Sequence, residues 1–191
     1  MSDRLREFVE RARARLHPPD APPELRIPFA TRAAVLMPLF LDDEGELSVW
    51  LLRKTEGTRR HAGQVALPGG KSEPHDLSLL ETALREADEE IKLPRDAVEV
   101  IGVLDPYPTI TGFVMTPFVG VLDRPFTPVP DQVEVARAFP ARLATFAVEG
   151  EPREVSVLTW RRTVPAYEVA GEIVWGATAA ILQDAAKRLL G

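Results

Sequence analysis

Apolar residues recur along the chain with two different periods, and the changes of period divide it into elements. Residues 3–16 form a charged amphipathic segment that predicts a helix, stopped by "HPPDAPPEL", whose prolines cannot continue it. "TRAAVLMPLFL" (31–41) and, after the turn-forming "DDEG", "GELSVWLLRK" (45–54) read as strands. Glycines and Pro68 in residues 55–70 predict a loop. Beyond it, Leu77, Leu80, Leu84, Ala87 and Ile91 are spaced 3, 4, 3 and 4, which predicts a helix over about 78–92 with one buried stripe. Strand-like segments follow near 97–105 and 113–123. "VEVARAFPARLATFA" is mixed and reads as holding a short helix. "REVSVLTW" and "TVPAYEVAG" suggest a hairpin, and "IVWGATAAILQDAAKRLL" closes the chain as a helix. Strands and helices are interspersed without a regular βαβ alternation, so a mixed sheet sandwiched by helices, an α/β fold, is expected. Residues 1–29 are taken as an N-terminal helix and proline-rich linker, and 30–191 as the main domain.

With 191 residues, 45% of them hydrophobic and 27% charged, the chain has the balance of a globular protein. No apolar run approaches the ~18 residues of a membrane span, and the N-terminus has no export-signal pattern, so the cytoplasm is the expected compartment. Zero cysteines exclude disulfides, thiolate metal sites and a thiol nucleophile. A net charge of −6 weighs against general nucleic-acid binding. It leaves room for an anionic small molecule, because a bound metal and local arginines reverse the field where they sit. The expected assembly is a monomer or homodimer.

The chemistry concentrates in the helix near residue 90. At roughly 100° per residue, Glu86, Glu89 and Glu90 fall within about a third of its circumference, nearly opposite the apolar stripe, on a face expected to be directed to solvent. A plain reading is a solvated face with Arg85 pairing Glu81 and Glu89. Against it, the three carboxylates crowd the helix C-terminus, where the macrodipole disfavours negative charge. A hard divalent cation would remove that conflict.

The surrounding pattern, G-x5-D-x8-R-E-A-D-E-E-I-K-L from Gly70, resembles the Nudix box, G-x5-E-x7-R-E-U-x-E-E-x-G-U, with U aliphatic. Gly70, Arg85, Glu86, Glu89, Glu90 and Leu93 match. Asp76 replaces the first glutamate, one extra residue separates it from Arg85, and Lys92 stands where glycine is usual, so the helix is expected to end without the left-handed glycine cap. The resemblance implies a Nudix-type α/β/α sandwich that hydrolyses a nucleoside diphosphate linked to another moiety with Mg²⁺ or Mn²⁺. It implies Glu86 and Glu90 as principal metal ligands, with Glu89 and the Gly69 carbonyl as further ligands. Arg85 is expected to orient Glu86 or Glu89. Glu89 is the first candidate for the general base; Glu134 is the second, with an ordinary surface charge as its alternative.

The preceding segment, "LLRKTEGTRRHAGQVALPGG", resembles the extension of coenzyme A diphosphatases, L-L-T-x-R-S-x3-R-x3-G-x3-F-P-G-G. Arg59, Gly63, Pro68, Gly69 and Gly70 match, and Lys54 stands for the first arginine, keeping the charge without the bidentate fork. The implied substrate is coenzyme A or an acyl-CoA, cleaved to 3′,5′-ADP and (acyl-)4′-phosphopantetheine. Arg59, Arg60 and Lys54 would meet its phosphates, and Gly63 would allow close backbone approach. A solvated basic loop is the alternative for Arg59 and Arg60. Two rival functions stay open: hydrolysis of another nucleoside diphosphate such as ADP-ribose or a dinucleotide, and nucleotide binding without hydrolysis.

Overall fold

The computed structural model describes residues 1–57, 63–157 and 160–191. Its centre is a mixed sheet in the order β3-β2-β1-β7-β5, with β4 on β1, β6 on β7 and β8 on β2. The strands are β1 (Thr31–Leu41), β2 (Leu47–Lys54), β3 (Val65–Ala66), β4 (Gly69–Lys71), β5 (Val98–Val103), β6 (Tyr107–Pro108), β7 (Phe113–Leu122) and β8 (Val135–Arg142). β1 and β7 run parallel; the other pairings are antiparallel. A second antiparallel sheet joins β9 (Glu151–Val157), β10 (Trp160–Val169) and β11 (Glu172–Trp175).

β1 reads as one continuous apolar run because both of its faces are covered. Ala34 and Leu36 face helix α2 (Leu79–Ile91) through a core that also holds Ala83, Ala87, Ile91 and Phe118. Val35, Met37 and Leu39 face the larger core shared by α1 (Asp3–Arg13) and α3 (Gly176–Leu190). The expected α/β/α sandwich is therefore what the chain forms. Helix α1 belongs to the larger core through Leu5, Phe8, Val9 and Ala12. Among the described residues no helix is long and apolar enough to cross a membrane.

Four element assignments change. The predicted loop at 55–70 contains β3 and β4, too short for a hydrophobic period to show. The mixed segment after residue 133 does hold a short helix, of 3-10 type (Leu143–Ala147), but most of it is strand β8; among the named strands β8 pairs only with β2, so Pro140 costs no ladder bond on its open side. Residues 172–175, read in part as the start of the last helix, form β11. The stripe of α2 is also rotated. Leu77 precedes the helix and is 94% exposed, Leu80 and Leu84 are half-buried, and the inner face is Ala83, Ala87, Glu90 and Ile91. Leucine spacing misled here because short side chains let the helix approach the glycine strand β4.

Ser78 caps the start of α2, its Oγ accepting from the Glu81 amide at 3.1 Å. The end is left-handed after all: Lys92 adopts φ 58° and ψ 37°. Bonds from Lys92 N to Asp88 O and from Leu93 N to Ala87 O, with Leu93 buried, hold a non-glycine residue in that strained region. Since a left-handed conformation costs a side-chain-bearing residue about 1 kcal/mol, Lys92→Gly should raise unfolding stability by about that amount in urea denaturation, whereas Lys92→Val should lower it.

Candidate active site

Helix α2 packs on β1 and β4, and glycines in β4 make the contact close. A β-carbon on Gly69 would lie 2.4 Å from the Ala34 carbonyl oxygen, and its φ of 152° suits glycine. One on Gly70 would lie 2.5 Å from the Glu86 carboxylate, so that carboxylate occupies the space a side chain would take.

Glu90 is a buried charged residue, 2% exposed. Its Oε2 accepts the Gly69 amide at 2.9 Å and its Oε1 pairs with the Lys54 ammonium from the end of β2. The expectation of a wholly solvent-directed carboxylate face is thus corrected: Glu90 turns inward, while Glu89 stays exposed. The face turns inward because Ala83 and Ala87 are fully buried toward the sheet, while Leu80 and Leu84 pack only partly buried at the edge of the same core. Burial foremost pushes the Glu90 carboxyl up to about 7, Glu86 adding to the rise, against the opposing pull of Lys54 and the Gly69 amide. Burial likewise raises Glu86, opposed by Arg85.

Arg85 ties the other acids together. Its Nε and Nη2 reach Asp76 at 2.9 and 3.1 Å, and its Nη1 lies 2.9 Å from both Glu86 and Glu89. Asp76 is a buried anchor whose importance sequence reasoning missed, noting it only as a departure from the motif. It also accepts bonds from the Thr82 hydroxyl at 2.8 Å and the Glu73 amide at 2.9 Å. Arg85 first, then those donors, hold its carboxyl well below the usual carboxylate range despite burial. Glu89 is 58% exposed at the rim. Lys54, expected at a phosphate, lies on Glu90, a contact across 36 positions that no local signal announces.

Glu134 sits exposed in the turn before β8. That turn is fixed beside the end of α2, Asp131 N donating to Glu90 O and Val129 N to Ile91 O, and Thr55 N donates to Glu134 O at 2.9 Å. Gly63 is left-handed at φ 66°. Arg59 and Arg60 lie outside the described residues. A cleft of about 400 Å³ lies between residues 22–32 and Leu79, Val114 and Thr116, and Glu86, Glu89 and Glu90 do not line it.

Among the described residues no three His, Cys, Asp or Glu side chains converge as a ready metal cluster; Glu89 is drawn to Arg85 while Glu86 and Glu90 face β4. The donor chemistry nevertheless suits a hard divalent ion: carboxylate oxygens, backed by main chain without side chains. Four carboxylates, Asp76, Glu86, Glu89 and Glu90, meet two cationic side chains, Arg85 and Lys54, which leaves two negative charges over. A cation, the Lys54 ammonium, already sits against buried Glu90.

A family model described as NUDIX domain matches residues 30–177. A Pectobacterium atrosepticum protein named "Uncharacterized Nudix hydrolase NudL" is 37% identical over 188 residues, 97% of this chain and 94% of its own length. A protein of the same name from Yersinia enterocolitica is 39% identical over 167 residues, covering 82% of this chain and 80% of its own. In backbone, the chain is similar to the crystal structure of a Nudix hydrolase from M. smegmatis, RenU, with a TM-score of 0.53 and 21% identity over 69% of this chain and 81% of that one.

Two substitutions separate anchor from seat. Asp76→Asn should cost about 2–3 kcal/mol at neutral pH by removing charge-assisted bonds to Arg85. A carboxyl whose folded pKa is depressed stabilises above its ordinary value of 3.8 and loses that contribution as pH falls below it, so the gap between wild type and variant should close in acid unfolding series. Gly70→Ala meets only the flexible end of Glu86; unfolding stability should stay within about 0.5 kcal/mol. Its Mn²⁺ affinity, measured by calorimetry, should fall about 10–100-fold.

Proposed function

The chain belongs to the Nudix hydrolase family, whose members act on nucleoside diphosphate derivatives, and we propose that it cleaves the phosphoanhydride of coenzyme A or its acyl thioesters. The products are 3′,5′-ADP and (acyl-)4′-phosphopantetheine. Nudix hydrolases generally use divalent metal ions such as Mg²⁺; here Mg²⁺ or Mn²⁺ is proposed, held by Glu86 and Glu90 with Glu89 and the Gly69 carbonyl contributing. When bound, such an ion supplies charge neutralisation at the phosphoryl oxygens and acidifies water.

The chain's own residues do the rest. Arg85, fixed by Asp76, holds Glu86 and Glu89 at a set spacing, so their geometry is established before substrate arrives. Glu89, at the exposed rim, is proposed to take the proton from the attacking water, and Glu134, on the turn anchored to the end of α2, is the second candidate. Arg59, Arg60 and Lys54 are proposed to meet the phosphates, and Gly63 to let the main chain approach the ligand.

The observation that carries the coenzyme A reading concerns the loop with the matching motif. Its two ends bond to one carboxylate: Lys54 to one oxygen of Glu90 and the Gly69 amide to the other. The described residues that flank this segment, Lys54 and Gly69, thus meet at the carboxylate seat, and Arg59 and Arg60, which fall between them in sequence, are proposed to reach the substrate from there. Cations so proposed suit a substrate with a third phosphate.

A substrate panel with Mg²⁺ tests this. Coenzyme A should exceed 3′-dephospho-coenzyme A, ADP-ribose and dinucleotides in kcat/KM by at least about tenfold, the worth of one phosphate contact. Equal rates on coenzyme A and its dephospho form remove the specificity. No metal-dependent, EDTA-sensitive product from any of them makes the domain a binder.

A further inference from the structure

The Lys54 ammonium holds the oxygen of Glu90 that the Gly69 amide leaves over. The side chains of Glu90 and Lys54 are 3% and 13% exposed, so each charge depends largely on the other for compensation. Alternation along β2 puts Lys54 on the α2 side with Leu52, while Arg53 turns the other way to Glu172 and Glu56. The β2–β8 register slips at this point, Arg53 facing Arg137 and Lys54 facing Val135. Such a bulge re-aims a side chain. Both Glu86 and Glu90 feel the lysine's charge.

A divalent ion that takes Glu90 as a ligand competes with Lys54 for the same oxygen, and the two cations repel. We propose that Lys54 is a displaceable counter-cation: it neutralises Glu90 until a divalent ion claims that oxygen, then swings from Glu90 to the phosphate of the incoming nucleotide. Lysine suits the task better than arginine. Its charge is a point on a flexible four-carbon stem, whereas a guanidinium fork would grip the carboxylate through two bonds. Displacement also links the two ligands, since a released ammonium beside the seat is free to bind an anion. The inference rests on the metal seat proposed above but not on which nucleotide is cleaved.

The test reads Lys54 directly. Wild-type protein, stripped with EDTA, is treated with an amine-acetylating reagent with and without Mn²⁺, and acetylation at Lys54 is followed by mass spectrometry. Exposed Lys187 is the internal reference. Mn²⁺ should raise Lys54 labelling relative to Lys187 by about tenfold, the scale of one released charge-assisted hydrogen bond. An unchanged ratio, while Mn²⁺ binding is seen by electron paramagnetic resonance, overturns displacement. Lys54→Met should bind Mn²⁺ alone about tenfold more tightly and show a wider gap in melting temperature between EDTA-treated and Mn²⁺-loaded protein. Equal or weaker Mn²⁺ binding by the variant means that Lys54 supports the seat instead of guarding it. If wild-type protein binds no Mn²⁺, the seat itself is wrong and the inference falls with it, a failure distinct from an unchanged labelling ratio.

Discussion

A buried carboxylate has to be answered by donors, and in this protein Glu90 organises its surroundings to supply them. Its two oxygens take one bond each from Lys54 and the Gly69 amide, which join the end of β2 and the start of β4 to the same turn of α2. That closeness dictates residue size. Ala83 and Ala87 are buried against the sheet, and Gly69 and Gly70 carry no side chain where one would strike β1 or Glu86. Larger residues at Ala83, Ala87 or Gly69 would move the helix away and leave Glu90 charged without partners, a cost of several kcal/mol.

Arg85 performs the complementary task at the rim. A single guanidinium holds three acids that would otherwise repel one another, and it stays in place because buried Asp76 fixes its Nε edge. The Asp76–Thr82–Glu73 bonds in turn fix the loop before α2. The cluster is therefore graded. Asp76 is held ionised at neutral pH by Arg85 and its other donors, Glu86 is partly covered, Glu89 meets solvent, and Glu90 is charged at a cost. A set of acids whose environments differ this much can divide anchoring, ligation and proton transfer among themselves.

The sequence made the architecture legible where periodicity ran long. β1, β2, α1, α2, β7 and most of α3 lie where apolar spacing puts them, because each buries a face large enough to impose its period, and the β9–β10 hairpin also lies where it was expected. β3, β4 and β6, of two or three residues each, carry no period, and β11 merged with the helix that follows it. The Glu86, Glu89 and Glu90 spacing was readable as one helical turn. Its orientation was legible only in part: of the expected stripe, Ala87 and Ile91 are buried, but Leu77 precedes the helix and Leu80 and Leu84 are only half-buried, while the space beside a glycine strand selected Ala83 and Glu90 for the inner face. Lys92 escaped for a related reason: the bonds that cap α2 come from main chain, so a residue of the wrong type still closes the helix. The Lys54–Glu90 pair depends on strand β2 meeting helix α2, a tertiary fact with no local trace.

The two faces of the central sheet carry unequal burdens, and this asymmetry makes the charged face affordable. On the α1 and α3 side lie Phe8, Phe139, Phe146 and Tyr167 among many aliphatics, with Phe146 and Tyr167 packed edge to face at 4.9 Å. The Tyr167 hydroxyl donates to Val148 O at 2.9 Å, so that core buries its polar tip satisfied. The α2 side holds a smaller cluster with a carboxylate at its border. Stability drawn from the first face lets the second tolerate a raised, cation-dependent Glu90. Because β1 lends alternate residues to both cores, Ala34 and Leu36 to one, Val35, Met37 and Leu39 to the other, the rigidity of the larger core passes through a single strand into the backbone on which Gly69 and Gly70 lie.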